Sequence, residues 1–144
     1  MYRVTADFHN ALMRGEKPVL YCVITTHMGK RVYAAKELQV TISDALEKSA
    51  RVLDFGSFER TAMPLTRNVL TAYSSKQLQH IRIQLDNSDA HFAKLSAKEP
   101  FLSRPISVYV GFESIAATSH LSLFTGKIVE LSVLNILTIE AKDL

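Results

Sequence analysis

Two segments in the second half of the chain alternate apolar and polar side chains with a period of two. Ile81, Ile83 and Leu85 are separated by Arg82 and Gln84, and Ile106, Val108, Val110 and Phe112 by Ser107, Tyr109 and Gly111. Successive side chains of a strand point to opposite faces, so this rhythm belongs to half-buried β-strands and does not suit a 3.6-residue helical period. Leu121 and Leu123 repeat it, and the apolar set then slips by one residue to Phe124, Gly126 and Ile128. A one-residue slip beside a glycine is the mark of a β-bulge, which bends a strand as a barrel wall requires. Leu137, Ile139 and Ala141 finish the series.

The first half opens differently. Thr5 can cap a short helix, Asp7 suits its positive end, Phe8, Ala11 and Leu12 share a face, and Gly15 stands where a left-handed C-terminal residue is wanted. Pro18 stops it. Val19 to Thr25 is β-branched and apolar on both faces, which predicts a strand covered on both sides. His27-Met28-Gly29-Lys30 is a turn, and Val32-Tyr33 begins the return strand. Leu38, Val40 and Ile42 alternate with Gln39, Thr41 and Ser43 as a further half-buried strand, and Asp44 to Arg51 reads as loop or one helical turn. Seven or eight short strands with one N-terminal helix predict a mainly β fold, a small antiparallel β-barrel or sandwich, as one domain over residues 1–144.

Composition removes several classes. A single cysteine, Cys22, permits no internal disulfide, and a chain of 144 residues buries enough surface to need none. The first residues include Asp7, His9 and Asn10 where a signal peptide needs an apolar stretch, and the longest apolar run, Val19 to Ile24, is far too short to cross a bilayer. No membrane segment is therefore expected. The formal charge of +3 is mild, with the basic excess confined to residues 1–80.

The inventory for catalysis is thin, and no enzyme is expected. Cys22 lies inside the most apolar strand, where a thiol is a small hydrophobe. His9, His27, His80, His91 and His120 never occur at the spacings of local zinc ligand pairs. Asp86-Asn87-Ser88-Asp89 offers oxygens, but the residues after it break the calcium-loop pattern, so turn-forming Asx residues are the better reading. No phosphate-binding or nucleophile-elbow sequence is present. Catalytic, cofactor and metal residues are accordingly expected to be none.

Segment order says more than any single motif. The helix Phe8-x-x-Ala11-Leu12 precedes Pro18, the Val19–Thr25 strand, a Gly turn, Val32-Tyr33-Ala34-Ala35 and Phe55-Gly56-Ser57-Phe58. Then come Ile81 to Leu85 running into Asp86-Asn87-Ser88-Asp89-Ala90-His91-Phe92, the strand Pro105 to Gly111, and Leu123-Phe124-Thr125-Gly126-Lys127-Ile128. A strand ending in Asn-x-Asp, a short Phe-bearing loop, a Val-rich strand and a Phe-x-Gly-x-Ile strand, in that order, resemble the N-terminal barrel of tail and baseplate hub proteins of tailed bacteriophages and related prophage tail-like particles. The resemblance spans nearly the whole chain. It implies a non-enzymatic structural subunit, without cofactor, that assembles in the bacterial cytoplasm into a homo-oligomeric ring at the tail tube–baseplate junction of a virion. Its partners would be itself and other tail or baseplate proteins. Hub proteins continue into further domains, so a chain ending at Leu144 is expected to serve as a distal-tail, tail-tube or adaptor component as readily as a hub.

The long polar stretch from Asp44 to Lys76 exceeds an ordinary connection, so it is functional, ordered by a partner, or contains unrecognised strands. It carries charges of both signs and unpatterned apolar residues. Arg51, Phe55, Phe58, Arg60, Met63, Leu65 and Arg67 are the expected partner interface, with Phe55 and Phe58 alternatively capping the open end of their own barrel. The runner-up function is a nucleic-acid-binding OB-like barrel, with Lys30, Arg31 and Tyr33 as contacts. Only 8% of residues are aromatic and none is Trp, which leaves nucleic acid the lesser alternative.

Overall fold

The computed structural model describes residues 6–56 and 80–143. The N-terminal helix α1 spans Ala6–Met13. Gly15 takes a positive φ of 74°, and its N–H and that of Glu16 donate back to the Leu12 and Ala11 carbonyls, the paired bonds that end a helix on a left-handed residue. The expected cap, Thr5, lies outside the described residues. Among the described residues eight strands follow: β1 Val19–Thr25, β2 Lys30–Ala34, β3 Ala45–Ala50, β4 Val52–Asp54, β5 His80–Asp86, β6 Pro105–Gly111, β7 Leu121–Val133 and β8 Ile136–Asp143. A second helix, α2, spans His91–Lys98 between β5 and β6.

The strands form one curled sheet in the order β3-β2-β1-β6-β7-β8-β5-β4. Its two edge strands are consecutive in the chain and separated only by Arg51. One segment thus pairs with β2 along its first half and with β5 along its second, which brings the edges of the curled sheet together. This is the barrel-like wall that the alternating runs predict, with a single sheet in place of a two-sheet sandwich. All pairs are antiparallel except β2–β3, which is parallel.

That parallel pair explains two departures from the sequence reading. Parallel neighbours need a crossover, and residues 35–44 supply it. Leu38 and Val40 are buried as their alternation implies, but the segment is no strand: it carries the chain back from the end of β2 to its start, over the outer face of β1 and β2. Asp44 then turns the chain with φ 62°, and Ala45–Ala50 is a strand instead of loop or helix. Ala, Leu, Glu and Lys are good helix formers, and tertiary pairing overrides that preference here. The stretch from Asp44 thus contains two strands that periodicity did not reveal.

β1 is buried on both faces, as predicted. Leu20, Cys22 and Ile24 join the main core with Phe8, Phe92, Val108, Phe112 and Ile139, while Tyr21 packs with Val32, Leu38 and Val40 in a second cluster under the crossover. Burial pushes the Cys22 thiol up to about 12, as befits a core hydrophobe. The predicted bulge is present: Val108 faces Phe124 but Tyr109 faces Ser122, leaving Leu123 as the extra residue. α1 and α2 cover opposite ends of the barrel. α1 sends Phe8 onto Phe112, just past the end of β6, whereas α2 ends at Glu99, which is bonded to Thr26 and Arg31 near the start of β6.

Candidate functional site

The densest polar constellation among the described residues lies under α2, and Glu47 is its centre. Glu47 sits on β3, where the inward positions are polar: Glu47, Ser49 and then Arg51. The Oε1 atom accepts from Arg31 Nη1 at 2.9 Å and from the Tyr33 hydroxyl at 2.8 Å. Oε2 accepts from Ser49 Oγ at 2.6 Å, and His91 Nε2 stands 3.0 Å away. Burial opposes ionisation of this carboxylate, but the bonds from Ser49, Tyr33 and His91 outweigh it and lower its pKa. Arg31 reaches across to Glu99, donating from Nε at 3.1 Å and from Nη2, while Thr26 Oγ1 donates to Glu99 at 2.7 Å. Four separate segments meet in this cluster. Its donors saturate both carboxylates, so its chemistry is that of a fastening between β2, β3 and α2.

Arg51, the first of the sequence-predicted interface residues, extends the same network. Its guanidinium forks onto Asp89, with Nη1–Oδ1 and Nη2–Oδ2 both at 3.0 Å, and lies 5.6 Å from the Phe92 ring centroid. That bond holds the Asp89 carboxyl down to about 2. Phe55 is buried in the core at 2% exposure. The structure therefore separates these two residues: Arg51 binds the start of α2, and Phe55 faces inward. Phe58, Arg60, Met63, Leu65 and Arg67 lie outside the described residues, as does the 57–76 part of the long polar stretch. Asp86 and Asp89 accept from the N–H groups of Ser88 and His91, and Asn87 Oδ1 from that of Phe92, so the four-residue polar cluster is turn and cap. Among the described residues no three His, Cys, Asp or Glu side chains converge as a metal set, and no helix is long and apolar enough to cross a membrane.

Two surface features have the character of binding elements. The first is the β7–β8 hairpin tip, where Val133, Leu134 and Ile136 are exposed, Leu134 at 74%. The tip is held in place: the buried Asn87 donates from Nδ2 to the Leu134 carbonyl at 2.7 Å and from its backbone to Asn135 at 3.0 Å. The second is a hollow of about 480 Å³ at the opposite, α1 end. Pro18, Val19, Leu20, Ala34, Leu38 and Phe55 give it apolar walls, and Lys17, Lys36, Glu37 and Glu113 stand among its lining. Neither feature was apparent from sequence, because each depends on which strands become neighbours.

His120 is the one buried histidine among the described residues, at 9% exposure. Its Nδ1 lies 2.7 Å from the Tyr21 hydroxyl and its Nε2 lies 3.0 Å from the Phe112 carbonyl, to which it donates. Burial lowers its pKa. The unfolded chain therefore binds a proton near pH 6.5 that the native state refuses, so stability is full above that pH and falls as pH drops below it. Urea midpoints at pH 7.5 and 5.5 should show this decline, and His120→Gln should flatten it. An unchanged slope in that variant would rule His120 out as its source.

No protein-family model matches the chain, and a search of curated proteins finds no match.

Proposed function

We propose that this protein is a non-enzymatic structural subunit of a phage-type tail, assembling as a ring at the tube–baseplate junction in a hub, distal-tail or adaptor role. The observation that carries the reading is the fate of the segments on which the resemblance rests. The strand ending in Asn-x-Asp is β5 with its capping turn, the Phe-bearing piece is α2, the Val-rich strand is β6, and the Phe-x-Gly-x-Ile segment is bulged β7. In that order they build one barrel wall and the helix that closes its end. A wall whose edges are joined through Arg51 suits a ring component, since a free edge would invite uncontrolled pairing.

Two of the three contacts expected for the nucleic-acid alternative are engaged within the chain, while the third, Lys30, is exposed. The Arg31 guanidinium is engaged by Glu47 and Glu99, and Tyr33 is fully buried with its hydroxyl on Glu47, so neither offers a free cation or stacking face. Size exclusion with light scattering, together with imaging of purified particles, should show a discrete oligomer that associates with tail components. A strictly monomeric protein that never copurifies with such components would overturn the proposal. A fluorescence titration with single-stranded oligonucleotide at low salt should show no binding.

A further inference from the structure

The hairpin tip and the hollow occupy opposite ends of the barrel. The tip is bonded to Asn87 at the start of α2, whereas the hollow borders Val19, the β1 residue that faces Gly111 at the far end of β6. The two features are complementary in chemistry. Leu134 and Ile136 project as a fixed apolar knuckle, and the hollow is walled by Val19, Leu20, Leu38 and Phe55. The exposed knuckle has apolar surface to remove from water against such a wall.

Charge points the same way. Asp86 is the register partner of Ile136, and hydrogen bonds from Ser88 keep its carboxylate ionised below the usual range. At the hollow, Lys17 and Lys36 form no ion pair with any carboxylate among the described residues, and the Lys17 amine pulls the Lys36 pKa down. Glu113, also in the lining, accepts from the Gln39 N–H at 2.6 Å, which commits one of its oxygens within the chain. An incoming carboxylate would relieve the repulsion between the two lysines.

We infer that the β7–β8 tip of one copy of this chain docks in the Lys17–Lys36 hollow of the next, a head-to-tail contact through which the ring closes. The inference rests on the ring reading above and specifies its interface. Because the surfaces differ, the contact is heterologous, and a heterologous contact makes a ring when the rotation between successive copies closes and a filament when it does not.

Single-cysteine variants test it, since the native Cys22 is fully buried. Asn135→Cys places a thiol at the tip and Glu37→Cys places one in the hollow lining, and both positions are exposed. A short bis-maleimide should join the two variants when mixed and neither variant to itself. A chain carrying both changes should give a ladder of covalent oligomers whose last band counts the subunits. Leu134→Asp, added to Asn135→Cys at this exposed tip, should lower the cross-linked yield at least tenfold while leaving the circular dichroism spectrum unchanged. If the wild type assembles but the mixture does not cross-link, or Asn135→Cys links to itself, the inference is overturned and the ring reading stands. If the wild type is monomeric at every concentration, the ring reading itself is overturned, and the inference with it.

Discussion

Replacing Glu47 by alanine should destabilise the protein by about 3–5 kcal/mol, a large part of what a domain of this size possesses. The change leaves the Tyr33 hydroxyl, Ser49 Oγ, one arm of Arg31 and His91 aimed at an empty position. Tyr33 has no exposure with which to recruit water, and Arg31 keeps only Glu99. Removing an acceptor that several donors share costs more than a single hydrogen bond, because each stranded donor keeps its desolvation penalty. Glu47→Gln preserves the shape and one acceptor atom, so its loss should be smaller. Urea denaturation followed by circular dichroism measures both. A loss below about 1 kcal/mol for the alanine variant would show that solvent already screens the cluster.

Gly126→Ala should cost about 3 kcal/mol, or roughly 10 °C in Tm for a chain of this length. Gly126 lies in β7 just after the bulge, beside the ladder to β8. A Cβ there would run into the Lys142 carbonyl oxygen and stand 2.6 Å from Phe124 Cζ. A ring can turn aside, but a strand carbonyl cannot move without breaking the ladder, so the collision has no cheap exit. Thr125→Ala, one residue earlier and exposed, is the control and should move Tm by no more than a degree or two. Equal shifts in the two variants would mean that the close approach at Gly126 is relaxed in solution.

Much of the wall was legible because its residues obey one simple rhythm. β5, β6, β7 and β8 each bury alternate apolar side chains, β1 is apolar on both faces, and the one-residue slip at Leu123 and Phe124 marked the bulge. β3 was illegible for a physical reason: its inward positions are Glu47 and Ser49, whose burial is made tolerable by partners from β2 and α2, and nothing local announces them. The 38–43 segment failed in the opposite direction, since alternation reports which side chains are buried and not whether the backbone has a ladder partner. α2 looked like a loop because Ala90 precedes it in a left-handed conformation, while the side-chain oxygen Oδ1 of Asn87 accepts from the Phe92 N–H from farther back. The candidate interface shows the same limit. Arg51 and Phe55 lie close together in sequence, yet one reaches toward α2 and the other packs into the core. The tip and the hollow exist only once β5 meets β8 and the crossover covers β1.

The junction at Arg51 also governs how the chain emerges from a ribosome. By the time residue 54 is made, β1 has β2 on one side and β2 has β3 on the other, but β4 must wait for β5, which begins at residue 80, and β1 must wait for β6, which ends at residue 111. The nascent chain therefore carries β4 without a partner until β5 is made and β1 with one of its two neighbours until β6 is made, and its seam cannot close until β8 joins β5 to β7. Three of the seven ladders among the described residues, β6–β7, β7–β8 and β5–β8, need residues from 121 onward, so closure of the wall is expected to be slow, as where distant segments must meet.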